Sequence, residues 1–361
     1  MAITPDELFS LIRKGQPIEA LSVNGLNFQK KNIGGANFNE CQFINCNFDS
    51  GILEQVNFIN CEFHNCQFNQ AQIIEASFIE CTLDNCSFNQ HISTGTNWVK
   101  PTLNACQFSS SQMNDSNIIE GKISQCVYDG CDLGFASFLQ CDISATSFIE
   151  ATLVRTNFIE CQFKTIEFDK ANLQTTLFEK PNLESQDFSG MDLTQAQFRS
   201  GVLNKCTFKA SILNQASFVD AELNECDFSK AKCNMTMFTG ATLTGSNFSH
   251  ANLEQASLQG ANLTGCQFTE ANMVQAQLAE ATCVSTLFIG SNLGYADLSM
   301  AICDGSDFGG ASLFRTNLHS LADSQSNWSG SSKSLALGTD EKLERAQKWV
   351  PKSPSTQMES I

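Results

Sequence analysis

Basic residues are scarce in this chain: 21 Lys and Arg stand against 38 Asp and Glu, for a formal charge of -17 at pH 7. A balance this acidic disfavours direct binding to nucleic acid or to an anionic membrane surface. Long apolar runs are missing as well, and none approaches the roughly 20 residues that a membrane-crossing helix needs. No membrane insertion is therefore expected. The segment Met1 to Ser10 has no basic stretch followed by an apolar block, and a cytoplasmic protein is the expectation. Histidine is rare: His64, His91, His250 and His319 are scattered. No Ser, His and Asp constellation assembles in preference to any other, so the expectation is a protein that is not an enzyme.

The apolar residues also lack the periods of ordinary secondary structure. A helix repeats every 3.6 residues and a strand every 2, whereas this chain repeats every five. The thirty positions numbered in 8 from Phe28 to Leu318 are twenty-three Phe, four Leu, Trp98, Ile118 and Tyr128. Positions numbered in 3, from Ile33 to Leu313, hold mainly Leu and Ile, and among them only Ser93 is polar. Two residues before each centre the chain mostly places Ala, Cys, Ser, Gly or Thr, as in Ala36-Asn37-Phe38 and Ala251-Asn252-Leu253. Each unit thus has one large and one small inward residue and three outward ones. A second period of twenty is visible where Phe248, Phe268, Phe288 and Phe308 alternate with Leu258, Leu278 and Leu298. Four units make one square coil, and Phe28, Phe48 and their successors to Phe308 line up as a single aromatic column. With coils about 4.8 Å apart, the rod would be on the order of 70 Å long.

The A(D/N)LXX pattern over residues 23–319 resembles the pentapeptide-repeat family. The resemblance implies an all-β solenoid, a right-handed quadrilateral β-helix of about fifteen coils. It also supplies one functional precedent, since some members mimic DNA and bind type II topoisomerases.

Cysteine is abundant, and its placement decides its role. Fourteen of the 17 cysteines occupy the small inward slot, and Cys233, Cys283 and Cys303 the large one. Cys46, Cys66, Cys86, Cys106 and Cys126 should stack in one column. They read as small buried hydrophobes rather than as metal ligands, because no His or carboxylate shares the column. No cofactor or metal is expected, and thiols in this number imply a reducing compartment.

One local departure stands at His91 to Pro101, where His91 fills a small slot and Ser93 a large one. A coil distorted there would expose Trp98 and Lys100 as candidate partner contacts; the alternative is a tolerated bulge in an otherwise redundant stack. At the N-terminus, residues 1–22 form an entry segment in which Thr4-Pro5-Asp6-Glu7 is a capping box with proline at the first helical position. A helix from about 5 to 14, packed over the first coil, follows. At the other end, residues 320–361 read as a Ser/Gly-rich linker containing Trp328, a short helix through about Val350, and a disordered tail from Pro351. Trp328, Leu343 and Trp349 are candidate contacts, and the helix either folds back or docks on a partner. If it does neither, the bare edge at Phe308, Leu313 and Leu318 should form a homodimer.

Between Val23 and Leu318 thirty acids and fourteen bases are present, which is about one net charge per coil against about two per 3.4 Å of duplex DNA. That density is dilute for a DNA mimic. The entry from Ile3-Thr4-Pro5-Asp6-Glu7-Leu8-Phe9 through Gly15-Gln16-Pro17-Ile18-Glu19-Ala20-Leu21 resembles pentapeptide-repeat proteins found with type VI secretion components. The resulting expectation is a scaffold or adaptor that binds a protein, as an accessory of a bacterial secretion system. The alternative is an acidic DNA-mimic inhibitor or protector of a type II topoisomerase.

Overall fold

The computed structural model describes residues 4–349. It opens with helix α1 (Pro5–Arg13), where Thr4 is the N-cap and the Thr4–Glu7 capping box is fully formed. Leu8 and Ile12 are its buried residues, one helical turn apart, and the Phe9 ring meets Phe28 edge-on at 5.6 Å.

Every strand that follows is parallel to its neighbours and offset by twenty residues. Ile18 pairs with Phe38, Phe38 with Phe58, and so on to Phe158 with Phe178. These strands form a nine-stranded sheet, and the strands from Ser22–Asn24 to Gln162–Glu167 form an eight-stranded one. The other two sides are joined by single bridges such as Asn27 with Asn47 and Asn32 with Ile52. The four-sided solenoid is thus present, but the part built from two regular sheets has about eight turns rather than fifteen. Beyond Glu179 the twenty-residue register continues through single bridges on every side, ending with Asn317 to Leu337.

The unit Cys131-Asp132-Leu133-Gly134-Phe135 explains the five-residue period. Cys131 N–H closes a turn onto Tyr128 O at 3.1 Å, Asp132 N–H reaches back to Ser111 O at 2.9 Å, and Leu133 N–H reaches forward to Thr152 O at 2.9 Å. Gly134 N–H would be left over, and the Asp132 Oδ1 atom accepts it at 3.0 Å. Phe135 N–H donates to Val154 O at 3.1 Å. The Asn or Asp of the repeat is therefore an Asx turn that satisfies an otherwise unpaired amide. The same contact recurs at Asn32 and Gly34 (2.8 Å) and at Asp307 and Gly309 (2.8 Å).

The fifth residue of each unit turns the corner. From Gly15 to Gly330 every residue whose number is a multiple of five has φ between 47° and 71°. Most are not glycine, and the left-handed region costs an L-residue about 1–2 kcal/mol. Burial of one large side chain per unit, worth roughly 1.5–3 kcal/mol, offsets it. The two β-branched corner residues, Thr165 and Thr175, are the least suited to this conformation.

Both fall in the one turn where the ladder fails. Among the described residues, the bridges that should join 162 to 182, 167 to 187 and 172 to 192 do not form, while 177 still pairs with 197. Phe148 N–H reaches Glu167 O (2.8 Å) and Phe188 N–H reaches Thr207 O (2.8 Å), but Phe168 N–H has no counterpart on the next turn. The Phe168 and Phe188 rings are 6.3 Å apart, against 4.4 Å for Phe28 and Phe48. The cause is volume: Ile166, Gln186 and Met191 occupy slots built for Ala or Cys.

Proline in a small slot is tolerated when the next turn yields. Pro101 lies below Gly121 and Pro181 below Gly201, where a Cβ would come within 2.9 Å of the Pro181 ring. Gly201→Ala is expected to lower stability by about 1–3 kcal/mol, and Pro181→Ala in the same chain to restore it. Urea midpoints of the two single variants and the double variant measure this coupling.

The C-terminal boundary differs from the sequence expectation. The stretch read as a linker is laid down as another turn, with Ala322, Asn327 and Leu337 bridged to Ile302, Asp307 and Asn317. Trp328 stacks on Phe308 at 4.0 Å with the rings 2° from parallel. Helix α2 (Glu341–Gln347), capped by Asp340, follows. The disordered tail expected from Pro351, and Val350, lie outside the described residues.

Candidate interaction surfaces

The interior is closed to chemistry. All 17 cysteines are free and buried, and burial pushes the Cys131, Cys206 and Cys266 thiols up to about 12. Among the described residues no group of three or more His, Cys, Asp or Glu is placed to hold a metal ion. His91 is buried, which holds its imidazole down at about 4, and its Nδ1 lies 2.7 Å from Ser111 Oγ. Its volume replaces that missing at Ser93, so the coil there is neither bulged nor distorted. The bridges Gln72–Ile92–Gln112 are continuous.

The first pair of candidate contacts is divided between core and surface. Trp98 is 1% exposed and stacks on Phe78 at 4.0 Å, so it is a core residue. Lys100 stands on the outside and faces Glu120 at 3.6 Å. Trp328 is part of the C-terminal closure. Its Nε1 donates to Asp323 Oδ2 at 3.1 Å, and Lys333 Nζ sits 3.9 Å from its ring centre. With this turn in place, Phe308, Leu313 and Leu318 are buried, so the bare edge imagined for a homodimer is covered. Helix α2 is tied back through His319, whose Nδ1 accepts Asp340 N–H at 3.1 Å and whose Nε2 lies 3.0 Å from Gln347 Oε1. Leu343 and Trp349 remain exposed, Trp349 by 71%.

The surface depressions are shallow. Three of them, of about 310, 350 and 400 Å³, follow the ladder break and are lined by residues such as Phe163, Gln186, Asp187 and Asp192. Their charged lining is mainly acidic, with Glu167, Asp169, Asp187 and Asp192 beside Lys170.

Two exposed clusters were not found from the sequence. Phe135 projects from a corner, 54% exposed, and Arg155, one turn on, lies over its ring at 5.3 Å. Tyr295, 51% exposed, is covered in the same way by Arg315 at 5.9 Å, with Phe314 edge-on at 5.5 Å. Their numbers differ by 160, which is eight full repeats of twenty, so both lie on one edge of the solenoid. The signal was present as a duplicated pair of motifs: Leu133-Gly134-Phe135-Ala136 with Arg155-Thr156-Asn157, and Leu293-Gly294-Tyr295-Ala296 with Arg315-Thr316-Asn317.

A four-sided parallel solenoid with a sealed core and a turn every five residues defines a class of repeat protein whose outer faces are its working surface. Family models agree. A pentapeptide repeat region matches residues 131–208, and pentapeptide repeats (8 copies) match residues 52–90, 213–245 and 246–282. Together they cover just over half of the chain, which belongs to the pentapeptide-repeat family.

Similar solved structures include HetL, a pentapeptide repeat protein involved in heterocyst differentiation regulation from the cyanobacterium Nostoc sp. strain PCC 7120. It is 24% identical over 62% of this chain and 90% of HetL, with a TM-score of 0.23. A pentapeptide repeat protein of the Arabidopsis thaliana thylakoid lumen is 34% identical over 27% of this chain and 69% of its own, with a TM-score of 0.27. QnrB1, a plasmid-mediated fluoroquinolone resistance protein, is 14% identical over 71% and 97%, with a TM-score of 0.23. A comparison with curated protein sequences found no match. The matches give the secretion-associated resemblance of the entry segment no support. No helix among the described residues is long and apolar enough to cross a membrane.

Proposed function

We propose that this chain is a non-enzymatic scaffold that binds another protein along one outer edge of the solenoid. The observation that carries the reading is the distribution of exposed apolar side chains. Phe135, Met235 and Tyr295 share one corner column, and Phe314 adjoins it. Large apolar groups held in solvent mark contact surfaces when they gather in this way. The remaining faces are mainly Asn, Gln, Ser and Thr, and they offer complementarity without much energy.

Affinity capture from native lysate with a reversible crosslinker tests the reading. Tyr295→Ser with Phe314→Ser should abolish a capture that the parent chain achieves, with unchanged circular dichroism. Equal capture by both would contradict the proposal. The DNA-mimic alternative is checked separately in a supercoiling assay with a type II topoisomerase. No effect is expected at micromolar protein, and inhibition there would favour mimicry.

A further inference from the structure

We propose that Phe135 with Arg155 and Tyr295 with Arg315 are two copies of one recognition site, each taking a protein segment in which a carboxylate sits beside an apolar side chain. This rests on the scaffold reading above and names its partner chemistry.

Both sites stand on the same internal contacts of the repeat, which also recur at other units. Gly134 N–H donates to Asp132 Oδ1 at 3.0 Å, and Gly294 N–H to Asn292 Oδ1 at 3.2 Å. Thr156 Oγ1 donates to Leu133 O at 2.7 Å, and Thr316 Oγ1 to Leu293 O at 2.6 Å. Phe135 and Tyr295 both stand at corners with φ of 60°. Such corners elsewhere carry mostly small or polar residues, so an exposed aromatic ring with an arginine laid over it twice, in matching register, is a specific arrangement.

The chemistry follows from what is unpaired. Neither Arg155 nor Arg315 forms a salt bridge among the described residues. Each guanidinium lies over its ring, 5.3 Å from the centre at Arg155 and 5.9 Å at Arg315, within cation–π range and with its donors open to a carboxylate. The bare flank of the ring accepts an apolar group. A polyanion is a poor occupant, because the chain as a whole carries -17. The sites differ in surroundings. Asp115 and Asp132 line a depression of about 330 Å³ beside Phe135, whereas Gln275 and Asn292 hold those places beside Tyr295, with Phe314 and Leu335 adding apolar surface. Arg315 should therefore be the stronger site.

Eight turns at about 4.8 Å put the two sites about 38 Å apart. A partner that carries the same segment twice in one orientation at that separation would engage both.

The test selects a random dodecapeptide library on the full chain and measures enriched peptides by fluorescence anisotropy. Enriched peptides should carry Asp or Glu next to an apolar residue. Arg315→Gln should weaken them at least tenfold and Arg155→Gln less, with circular dichroism unchanged. A tandem peptide whose linker spans about 38 Å should bind 10²- to 10⁴-fold more tightly than a single one. Basic peptides, no enrichment, or indifference to Arg315→Gln would overturn the site. A tandem peptide without gain would overturn the pairing of the sites. Peptides that map to another surface would remove this site while leaving the scaffold reading in place.

Discussion

Urea is expected to unfold the chain in two steps, with the boundary at residues 162–192. In a solenoid each turn is stabilised by its own packing and by the interface to the next turn, so cooperativity is only as strong as the weakest interface. Here three of the four sides lose their ladder between one turn and the next. Each missing backbone bond is worth about 1 kcal/mol net, so this interface is weaker than its neighbours by several kcal/mol. The two halves contain their own reporters: Trp98 is buried in the first, and Trp328 stacks at the end of the second. In a Trp349→Phe background, which removes an exposed emitter, Trp328→Phe leaves Trp98 as the only tryptophan and Trp98→Phe leaves Trp328. The two fluorescence transitions should have different midpoints. Ile166→Ala with Gln186→Ala and Met191→Ala should close the ladder and bring the midpoints together. Coincident transitions in the parent chain would show that the break does not divide it.

Raising the pH should also unfold the chain, through its thiols. Burial lifts Cys131, Cys206 and Cys266 from an ordinary value of 9.0 to about 12. Below pH 9 these thiols are protonated in both folded and unfolded chains, and the stability is whole. As pH climbs from 9 towards 12 only the unfolded chain releases its protons, so stability falls across that window. The loss is about 1.4 kcal/mol per thiol per pH unit, or about 8 kcal/mol for these three together at pH 11. Replacing all three by Ala, the commonest residue in equivalent slots, should move the alkaline midpoint upward. An unchanged pH profile in that variant would mean that the thiols are not the cause.

The repeat, the inward slots and the α1 capping box were legible in the sequence because each rests on residue type at a fixed spacing. The left-handed corner was not, because Glu, Gln, Lys, Ser and Gly at every fifth position look like ordinary polar surface. The ladder break was harder still. A misfit in one slot need not disturb the stack: His91 is compensated by Ser93 in its own unit, and Pro101 by Gly121 a turn later. At Ile166, Gln186 and Met191 no neighbour yields, and only the three-dimensional register exposes that. The last turn was read as linker because Asp323 and Lys333 stand at centres where a large apolar residue belongs, although Trp328 kept the rule. Of the proposed contacts, Trp98 failed because an aromatic at a centre is core wherever the register holds. The Phe135 and Tyr295 clusters were missed because their relation spans 160 residues.

The central claim is that one edge of the rod is the protein-binding surface, and site-specific photocrosslinking tests it most directly. Benzoylphenylalanine would replace Phe135 or Tyr295 on that edge, and Gln125 or Ser285 on the opposite corner, in otherwise identical chains incubated with native lysate. Adducts from 135 and 295 with none from 125 and 285 are the expected result. Adducts from the opposite corner, or equal yields from all four, would contradict it.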